Sequence, residues 1–292
     1  GQAISVLIAG TGFFASLLSV RHVSVPLFLN VLNYAMLSPY FGALSKDDSA
    51  SYWGLFSELC CPWWLYAVMA VVDLEANVII VSAYRYTSVT SVMLLDCFSI
   101  PCVMLLSYVF LSAKYTCTHL VGVLICLAGM ACIIVSDSLS GGGGCEDCSN
   151  PFYGDMLCLV GTSLYAISNV VQEKLVKHND REEYLGMMGT FGTTFGVAQL
   201  LIMETHAFNG VTWSMEVVGF VVGFVLCLNL MYSRASLFLK HCDAALLNLS
   251  LLTSDVYAVI FSYFCYGYLV SWLYFLSFGL ACLGLGIYST AQ

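Results

Sequence analysis

Apolar runs of similar length recur along the whole chain, separated by short polar segments. Ten of these runs are predicted to form helices, at residues 3-20, 25-44, 62-84, 86-111, 119-135, 154-173, 184-203, 215-233, 242-266 and 268-290. About 20 apolar residues in a helix cross the ~30 Å hydrocarbon layer of a bilayer. The pattern therefore predicts an all-α membrane protein with ten transmembrane helices.

The composition excludes an ordinary soluble protein. Of 292 residues, 60% are hydrophobic and only 9% are charged, whereas a soluble domain carries about 25% charged residues. The net charge of -9 gives no support to a nucleic-acid partner, since binding to phosphates needs positive charge. The partner that the composition indicates is the lipid bilayer.

A glycine-rich segment divides the ten predicted helices into two sets of five. Residues 136-153 contain four consecutive glycines, Gly141 to Gly144, a composition typical of a flexible linker. We expect a first five-helix repeat at 1-135 and a second at 154-292. Because five is odd, the second set enters the membrane with opposite polarity, as in transporters built from inverted repeats.

The distribution of basic residues among the loops favours one orientation of the chain in the membrane. With both termini in the cytosol, seven Lys and Arg residues fall in cytosolic loops and two on the other side. The seven are Lys46, Lys114, Lys174, Lys177, Arg181, Arg234 and Lys240, and the two are Arg21 and Arg85. The positive-inside rule favours this arrangement, in the plasma membrane or a secretory-pathway membrane. Cys145 and Cys148 in the outer linker could form a disulfide or remain two thiols.

Acidic side chains lie at membrane depth in three predicted helices. They are Asp73 and Glu75 in the third, Asp96 in the fourth and Asp255 in the ninth. A carboxylate there costs about 2.5-3.5 kcal/mol on insertion scales, so such residues are functional candidates. The expected reason for their presence is a water-accessible cavity between the two repeats.

Helical spacing groups further polar residues with these carboxylates. At 100° per residue, Asp73, Asn77 and Tyr84 share a face of the third helix, while Glu75 points almost oppositely. Similar stripes occur on the sixth and ninth helices. The candidate substrate-binding residues are Asp73, Glu75, Asn77, Tyr84, Asp96, Tyr165, Asn169, Asn248, Asp255 and Tyr266. The alternative is that these side chains form interhelical hydrogen bonds that only hold the bundle together.

Small residues mark helix faces suited to close packing. Gly186, Gly189, Gly192 and Gly196 recur along the seventh predicted helix, and Gly219 and Gly223 form a GxxxG motif in the eighth. Glycines of this spacing let helix backbones approach closely in lipid. We expect packing within the chain, with homodimer formation as the alternative.

The charged segment from Glu173 to Glu183 is predicted to be a solvated connector. No P-loop, GxSxG or HExxH motif occurs in the sequence, so neither ATP-driven transport nor hydrolysis is supported. The histidines are scattered and suggest no metal cluster. We therefore expect a protein that is not an enzyme and uses no cofactor or metal.

Several motifs resemble one transporter family. They are DLEAN at 73-77, AYRYTSVTSV at 83-92, LLDCFSIP at 94-101, SLYAISNV at 163-170 and LTSDVY at 252-257. They are similar to solute carrier family 35, subfamily F, of the drug/metabolite transporter superfamily. The resemblance implies ten helices in inverted repeats, and a proton-linked or facilitative carrier. It also implies substrates such as queuine- and queuosine-like nucleobases or cationic drugs. Asp73, Glu75, Asn77, Asp96, Asn169 and Asp255 fall in or beside these motifs.

The resulting hypothesis is a secondary transporter of a small polar or cationic heterocycle, with protons as a coupling ion to be tested. Carboxylates and amides can bond N–H groups of a heterocycle, and aromatic rings can stack on it. Two alternatives stay open: a nucleotide-sugar exchanger of the secretory pathway, and a channel or non-transporting membrane receptor.

Overall fold

The computed structural model describes residues 1–21, 23, 25–43, 59, 61–83, 86–87, 92, 95–139, 151–204, 213–266 and 272–290. Within these residues the chain forms helices, turns and short connections, with no strand. The helices are α1 Gln2–Val20, α2 Pro26–Leu37, α3 Pro39–Ala43, α4 Trp63–Ala83, α5 Ser99–Leu111, α6 Cys117–Leu139, α7 Pro151–His178, α8 Arg181–Met203, α9 Met215–His241, α10 Ala244–Tyr266 and α11 Trp272–Thr290.

Each predicted apolar run overlaps at least one of these helices, which confirms the all-α prediction. In the described part of the chain, five helices (α1, α4, α7, α8 and α9) are long and apolar enough to cross a membrane. Within that part of the chain, four further apolar helical segments, in α5, α6, α10 and α11, are shorter than a membrane span. The inverted arrangement of two repeats stays a prediction, and the central part of the glycine-rich linker, with Cys145 and Cys148, lies outside the described residues.

Two of the predicted spans, the second and the fourth, differ in detail from the helices of the structure. In the fourth span, Leu95 and Asp96 are helical, Cys97 and Phe98 then form a turn, and α5 begins at Ser99. The second span is divided at Ser38 into α2 and the short α3. Proline explains both differences. It lacks an N–H donor and is tolerated in the first turn of a helix, where Pro39 and Pro101 lie.

The chain forms two compact units. Unit 1 comprises Gly1–Ala9, Glu75–Val170 and Cys242–Gln292, and unit 2 comprises Gly10–Leu74 and Val171–His241. Three helices, α1, α4 and α7, contribute residues to both units. Asp73 and Glu75, only two residues apart on α4, therefore belong to different units.

In unit 2, α8 packs against α2 and α3 through its glycine face. A Cβ atom at Gly192 would lie 2.6 Å from Cγ of Tyr34, and one at Gly196 would lie 2.7 Å from Cγ2 of Val31. Gly186 and Gly189 face the backbones of α3 and of the end of α2. The prediction that this face packs within the chain is confirmed. Around α9, an apolar cluster that includes Leu18, Leu29 and Val221 completes the interior of this unit.

In unit 1, α6 and α11 pack against each other as closely as α8 and α2 do in unit 2. A Cβ atom at Gly122 would lie 2.8 Å from the carbonyl oxygen of Gly284. Sγ of Cys126, which is fully buried, donates to the carbonyl oxygen of Ala281 at 3.4 Å. The thiol behaves as a small packing group at a helix contact. At the start of the chain, Ser5 on α1 donates its hydroxyl to the carbonyl oxygen of Ser250 on α10 at 2.6 Å.

A carboxylate from a distant helix caps the start of α2. The N-cap residue, Val25, has no side chain able to accept a hydrogen bond, and none is made there. Instead, Glu204 at the end of α8 accepts from the backbone N–H groups of Leu27 and Phe28, at 2.8 and 3.0 Å. The first N–H groups of a helix have no partner within it, and negative charge is favourable at that end. Glu204 therefore ties α8 to α2 by charge-assisted bonds.

Replacing Glu204 with glutamine should destabilise unit 2 by about 2 kcal/mol, because one acceptor oxygen becomes an amide donor and the charge at the helix N-terminus is lost. Thermal unfolding of the purified protein in detergent measures this effect. Glu216→Gln is the matched control, since Glu216 pairs with Arg21 at an exposed position and such pairs contribute little. Equal unfolding temperatures for the two variants would contradict the capping role.

Candidate functional site

One face of α7 carries three polar side chains that contact three other segments of unit 1. Thr162, Tyr165 and Asn169 are spaced by three and four residues, so they share a face of the helix. The Tyr165 hydroxyl donates to Oδ1 of Asn77 on α4 at 2.8 Å. Nδ2 of Asn169 donates to Oδ1 of Asn248 on α10 at 3.3 Å. We call these three α7 residues, with Asn77, Asn248 and Asp96, the α7 polar face.

The α7 polar face ends at a carboxylate. The Thr162 hydroxyl donates to Oδ1 of Asp96 at 3.5 Å, the limit of a hydrogen bond. Asp96 is exposed and helical, and the turn of Cys97 and Phe98 separates it from α5. The sequence analysis placed Asp96 inside the fourth predicted helix, and the structure has it in a helical segment of that span, before the turn that precedes α5.

The side chains of the α7 polar face differ in how far they are exposed to solvent. Asn248 is 5% exposed and also donates Nδ2 to the carbonyl oxygen of Ala244 at 2.8 Å. Tyr165, Asn77 and Asn169 are half-buried. Side chains that combine partial exposure with polar partners can exchange those partners for a solute at low cost, whereas buried polar groups stay bonded. The half-buried amides and hydroxyl are thus the groups of this face best suited to recognition.

In unit 2, a buried carboxylate joins three helices. Oδ2 of Asp73 on α4 accepts the hydroxyls of Tyr34 on α2 and of Tyr232 on α9, each at 2.6 Å. The Tyr34 and Tyr232 rings meet edge to face, with centroids 6.1 Å apart. Asp73 is 7% exposed. Hydrogen bonds to an ionised acceptor are shorter and stronger than those between neutral groups, and both distances fit that class.

A second buried carboxylate overturns one prediction. Glu183, in the first turn of α8, is 2% exposed and accepts the hydroxyl of Tyr66 at 2.6 Å. Nδ2 of Asn179 donates to the same tyrosine oxygen at 3.3 Å. Glu173 is also buried and pairs with Lys177 at 2.6 Å. The segment from Glu173 to Glu183 was predicted to be a solvated connector. That is wrong for these two glutamates, because helices α7 and α8 extend through almost all of it.

The predicted site residues divide among the two units and the undescribed segments. Asn77, Asp96, Tyr165, Asn169 and Asn248 belong to the α7 polar face. Asp73 lies in unit 2, whereas Glu75 is half-buried in unit 1. Tyr84 lies outside the described residues. Asp255 and Tyr266 are in α10. Their role in substrate binding stays a prediction.

Sequence reasoning missed the tyrosines that bind the buried carboxylates. Tyr34 and Tyr232 have no acidic residue near them in their own helices, so local spacing gave no signal. Tyr66 lies two turns before Asp73 on α4, but the carboxylate that it binds is Glu183 of α8. Thr162 was also missed, although it stands three residues before Tyr165. A search for hydroxyl groups at helical spacing from a candidate amide would have found it.

Helices of membrane length, packed through glycines and joined by buried polar contacts, define a multi-pass integral membrane protein. A family model described as Solute carrier family 35 matches residues 1–290. The chain therefore belongs to solute carrier family 35 and is a membrane transporter of that family. This confirms the resemblance seen in the sequence motifs.

Relatives from animals and yeast match almost the whole chain. The chain is 38% identical to mouse Solute carrier family 35 member F2 over 291 residues, covering 99% of this chain and 76% of the relative. The Xenopus tropicalis protein of the same name is 37% identical, with 99% of this chain and 74% of the relative covered. A solute carrier family 35 member of Schizosaccharomyces pombe is 31% identical, covering 99% and 56%.

The fold also occurs in a solved crystal structure. That chain superposes with a TM-score of 0.75 at 15% sequence identity, over 99% of this chain and 96% of the other. At this identity the likeness concerns the fold alone.

Proposed function

We propose that this transporter moves a small polar or cationic heterocycle, of the nucleobase or nucleoside class that includes queuine and queuosine, by alternating access. The observation that carries the proposal is the α7 polar face. Its recognition groups are amides, hydroxyls and one carboxylate, which donate to and accept from a heterocycle. In a carrier of this kind, substrate binding shifts the population between inward-open and outward-open states.

The chemistry of these groups favours a base over a phosphorylated substrate. Asn side chains present a donor and an acceptor together, matching the paired donors and acceptors on the edge of a nucleobase. Tyr165 adds an aromatic ring that can stack on a heterocycle. Asp96 adds a negative charge that attracts a protonated amine and repels a diphosphate. The nucleotide-sugar alternative, which is also a function found in solute carrier family 35, would place two phosphates beside that carboxylate.

Uptake by proteoliposomes tests the proposal. Radiolabelled queuine, queuosine, adenine and guanine are compared with a nucleotide sugar, each as counterflow against the same unlabelled compound. Saturable counterflow of a base or nucleoside, inhibited by cationic heterocycles, is the expected result. Counterflow of the nucleotide sugar alone would establish the exchanger alternative. Linear, non-saturable entry of every compound would indicate a channel instead of a carrier.

Tyr165→Phe should reduce saturable uptake by ~3- to 10-fold, since losing one hydrogen bond between neutral groups costs about 0.5–1.5 kcal/mol. Tyr108→Phe on α5 is the matched control, because Tyr108 is 64% exposed on the outer surface of its helix. Surface expression and unfolding temperature should be unchanged in both variants. An equal effect of the two substitutions on uptake would show that the Tyr165 hydroxyl has no part in transport.

A further inference from the structure

We propose that Asn33 on α2 is a conformational switch of unit 2. Among the residues described, its buried amide has no hydrogen-bond partner in this state, and it gains water as its partner when α2 and α9 move apart. The unpaired amide makes the closed conformation less stable and so favours the opened one. The place of this switch in a transport cycle rests on the proposed function, whereas the unpaired amide stands on the geometry of unit 2 alone.

The side chain of Asn33 is closed to water. It is 0% exposed, and neither its Oδ1 nor its Nδ2 has a hydrogen-bond partner within the described residues. Asn248 on α10 shows the usual arrangement at similar burial, because its Nδ2 donates to the carbonyl oxygen of Ala244 and its Oδ1 accepts from Asn169. Almost all buried polar groups have such partners, since a buried amide without them is unfavourable. Asn33 therefore destabilises the conformation that encloses it.

Apolar side chains flank Asn33 along one face of α2. Leu29 and Leu37 stand four residues before and after it, so the three side chains share a face of the helix. Both leucines are buried, and Leu29 belongs to the apolar cluster that includes Val225 of α9. A third apolar side chain would continue this packing without any unpaired group. The packing of the closed conformation thus gives no reason for an amide at this position.

A second amide occupies the matching position of α9. Asn229 stands four residues after Val225 of the apolar cluster. Asn33 stands in the same relation to Leu29 of that cluster. Nδ2 of Asn229 likewise has no hydrogen-bond partner in the part of the chain that is described, although the residue as a whole is half-buried. The two amides therefore lie about one helical turn beyond the same cluster, and the partly exposed Asn229 marks the side from which water can enter.

Helix α2 is held more firmly to α8 than to α9. A Cβ atom at Gly189 of α8 would overlap the backbone of α2, and Glu204 at the end of α8 caps the first turn of α2. The contact with α9 is made by apolar side chains and by the edge-to-face rings of Tyr34 and Tyr232. Both tyrosines also bind Asp73 of α4, which holds that level of the two helices together. The part of the contact that can open is therefore the apolar cluster with the amides beside it.

The size of the effect follows from one unpaired amide. Leaving a buried polar group unsatisfied shifts an equilibrium by roughly 5- to 150-fold. This penalty is present while α2 and α9 enclose Asn33, and it is absent when water reaches the amide. Removing the amide should therefore raise the population of the closed conformation and slow every cycle that has to leave it.

Thermal unfolding of the purified full chain in detergent tests the unpaired amide without any substrate. Asn33→Leu should unfold roughly 2–6 °C above wild type, whereas Asn248→Leu, the matched control, should unfold below it because its amide is paired. Asn33→Ala serves if leucine is too large for the site, and it should be more stable than Asn248→Ala. Either result supports the unpaired amide. If Asn33→Leu is no more stable than wild type and Asn33→Ala is no more stable than Asn248→Ala, the proposal is overturned.

Cysteine labelling tests the opening, also without substrate. The chain has 14 native cysteines, so the reaction of Asn33→Cys with a hydrophilic maleimide is read at its own peptide by mass spectrometry. Leu37→Cys is the matched control, since Leu37 is equally buried on the same face but lies beyond the tyrosine pair. We expect Asn33→Cys to react at least ~10-fold faster than Leu37→Cys. Equal rates, or a faster control, would overturn the opening between α2 and α9.

Counterflow in proteoliposomes then tests the switch in transport. Asn33→Leu, or Asn33→Ala if leucine prevents folding, should lower saturable counterflow by roughly 5-fold or more and leave the order of preference among heterocycles unchanged. Tyr108→Phe is again the control, at the wild-type rate. An unchanged rate would overturn the switch, and so would an altered order of preference, since Asn33 would then contact the substrate. If wild type transports no heterocycle at all, the proposed function fails, while unfolding and labelling still decide the switch.

Discussion

Alanine at Gly189 should destabilise unit 2 by about 3 kcal/mol, the upper part of the range for overpacking a close helix contact. The added Cβ would overlap the carbonyl carbon of Leu37 and the amide nitrogen of Ser38, and it would lie 2.8 Å from the carbonyl oxygen of Tyr34. Backbone atoms cannot rotate away as a side chain can. Helices α8 and α2 must therefore separate, and the apolar groups beside them lose contacts.

The measurement is thermal unfolding of the purified protein, with Gly219→Ala as the matched control. Gly219 lies on α9, where a Cβ atom would meet nothing within 4 Å. Both substitutions replace glycine with alanine inside a helix, so the gain in helix propensity is the same for both. Gly189→Ala should unfold at lower temperature, and Gly219→Ala at the wild-type temperature or above. If both variants are equally stable, the close approach of α8 and α2 does not exist in solution.

The helix pattern of this chain was predictable because lipid imposes it. A helix is the way for a segment of ~20 residues to satisfy its backbone groups in hydrocarbon, so hydropathy alone located the apolar runs. Predicting the residue at which each helix begins requires a second feature of the sequence, the positions of the prolines. Every proline of the chain lies in the first turn of a helix or just before one: Pro26, Pro39, Pro62, Pro101 and Pro151. Giving weight to Pro39 and Pro101 would have predicted the break after Ser38 and the turn just before α5.

The candidate site was predictable only where its residues share a helix. Tyr165 and Asn169 lie four residues apart on α7, and helical spacing identified them as neighbours. Asp73 and Asn77 have the same spacing on α4, yet their hydrogen-bond partners lie in different units. Spacing along a helix defines a face, but it does not say which helix covers that face. Pairs such as Tyr34 with Asp73 depend on tertiary packing, and a single sequence carries no local signal for them.

Leucine at Asn169 should lower substrate uptake by about 10-fold or more. The substitution removes a donor from the α7 polar face and leaves the buried oxygen of Asn248 without the bond recorded at 3.3 Å. An unsatisfied buried polar group costs about 1–3 kcal/mol, which corresponds to roughly 5- to 150-fold in a binding constant. Ile167→Leu on the same helix is the control, since Ile167 is 38% exposed and lies on another face.

A double-mutant cycle separates recognition from bundle stability, the two interpretations of the polar stripes. Asn169→Leu, Asn248→Leu and the double variant are compared in unfolding temperature and in uptake per folded molecule. If the pair only holds helices together, the double variant should recover much of the lost stability, because two apolar groups of similar shape replace the bond. Its uptake would then recover in parallel. If the pair instead binds the substrate, the stability of the double variant should recover while its uptake stays low. The reason is that two leucine side chains cannot form the hydrogen bonds that the amides formed with the substrate.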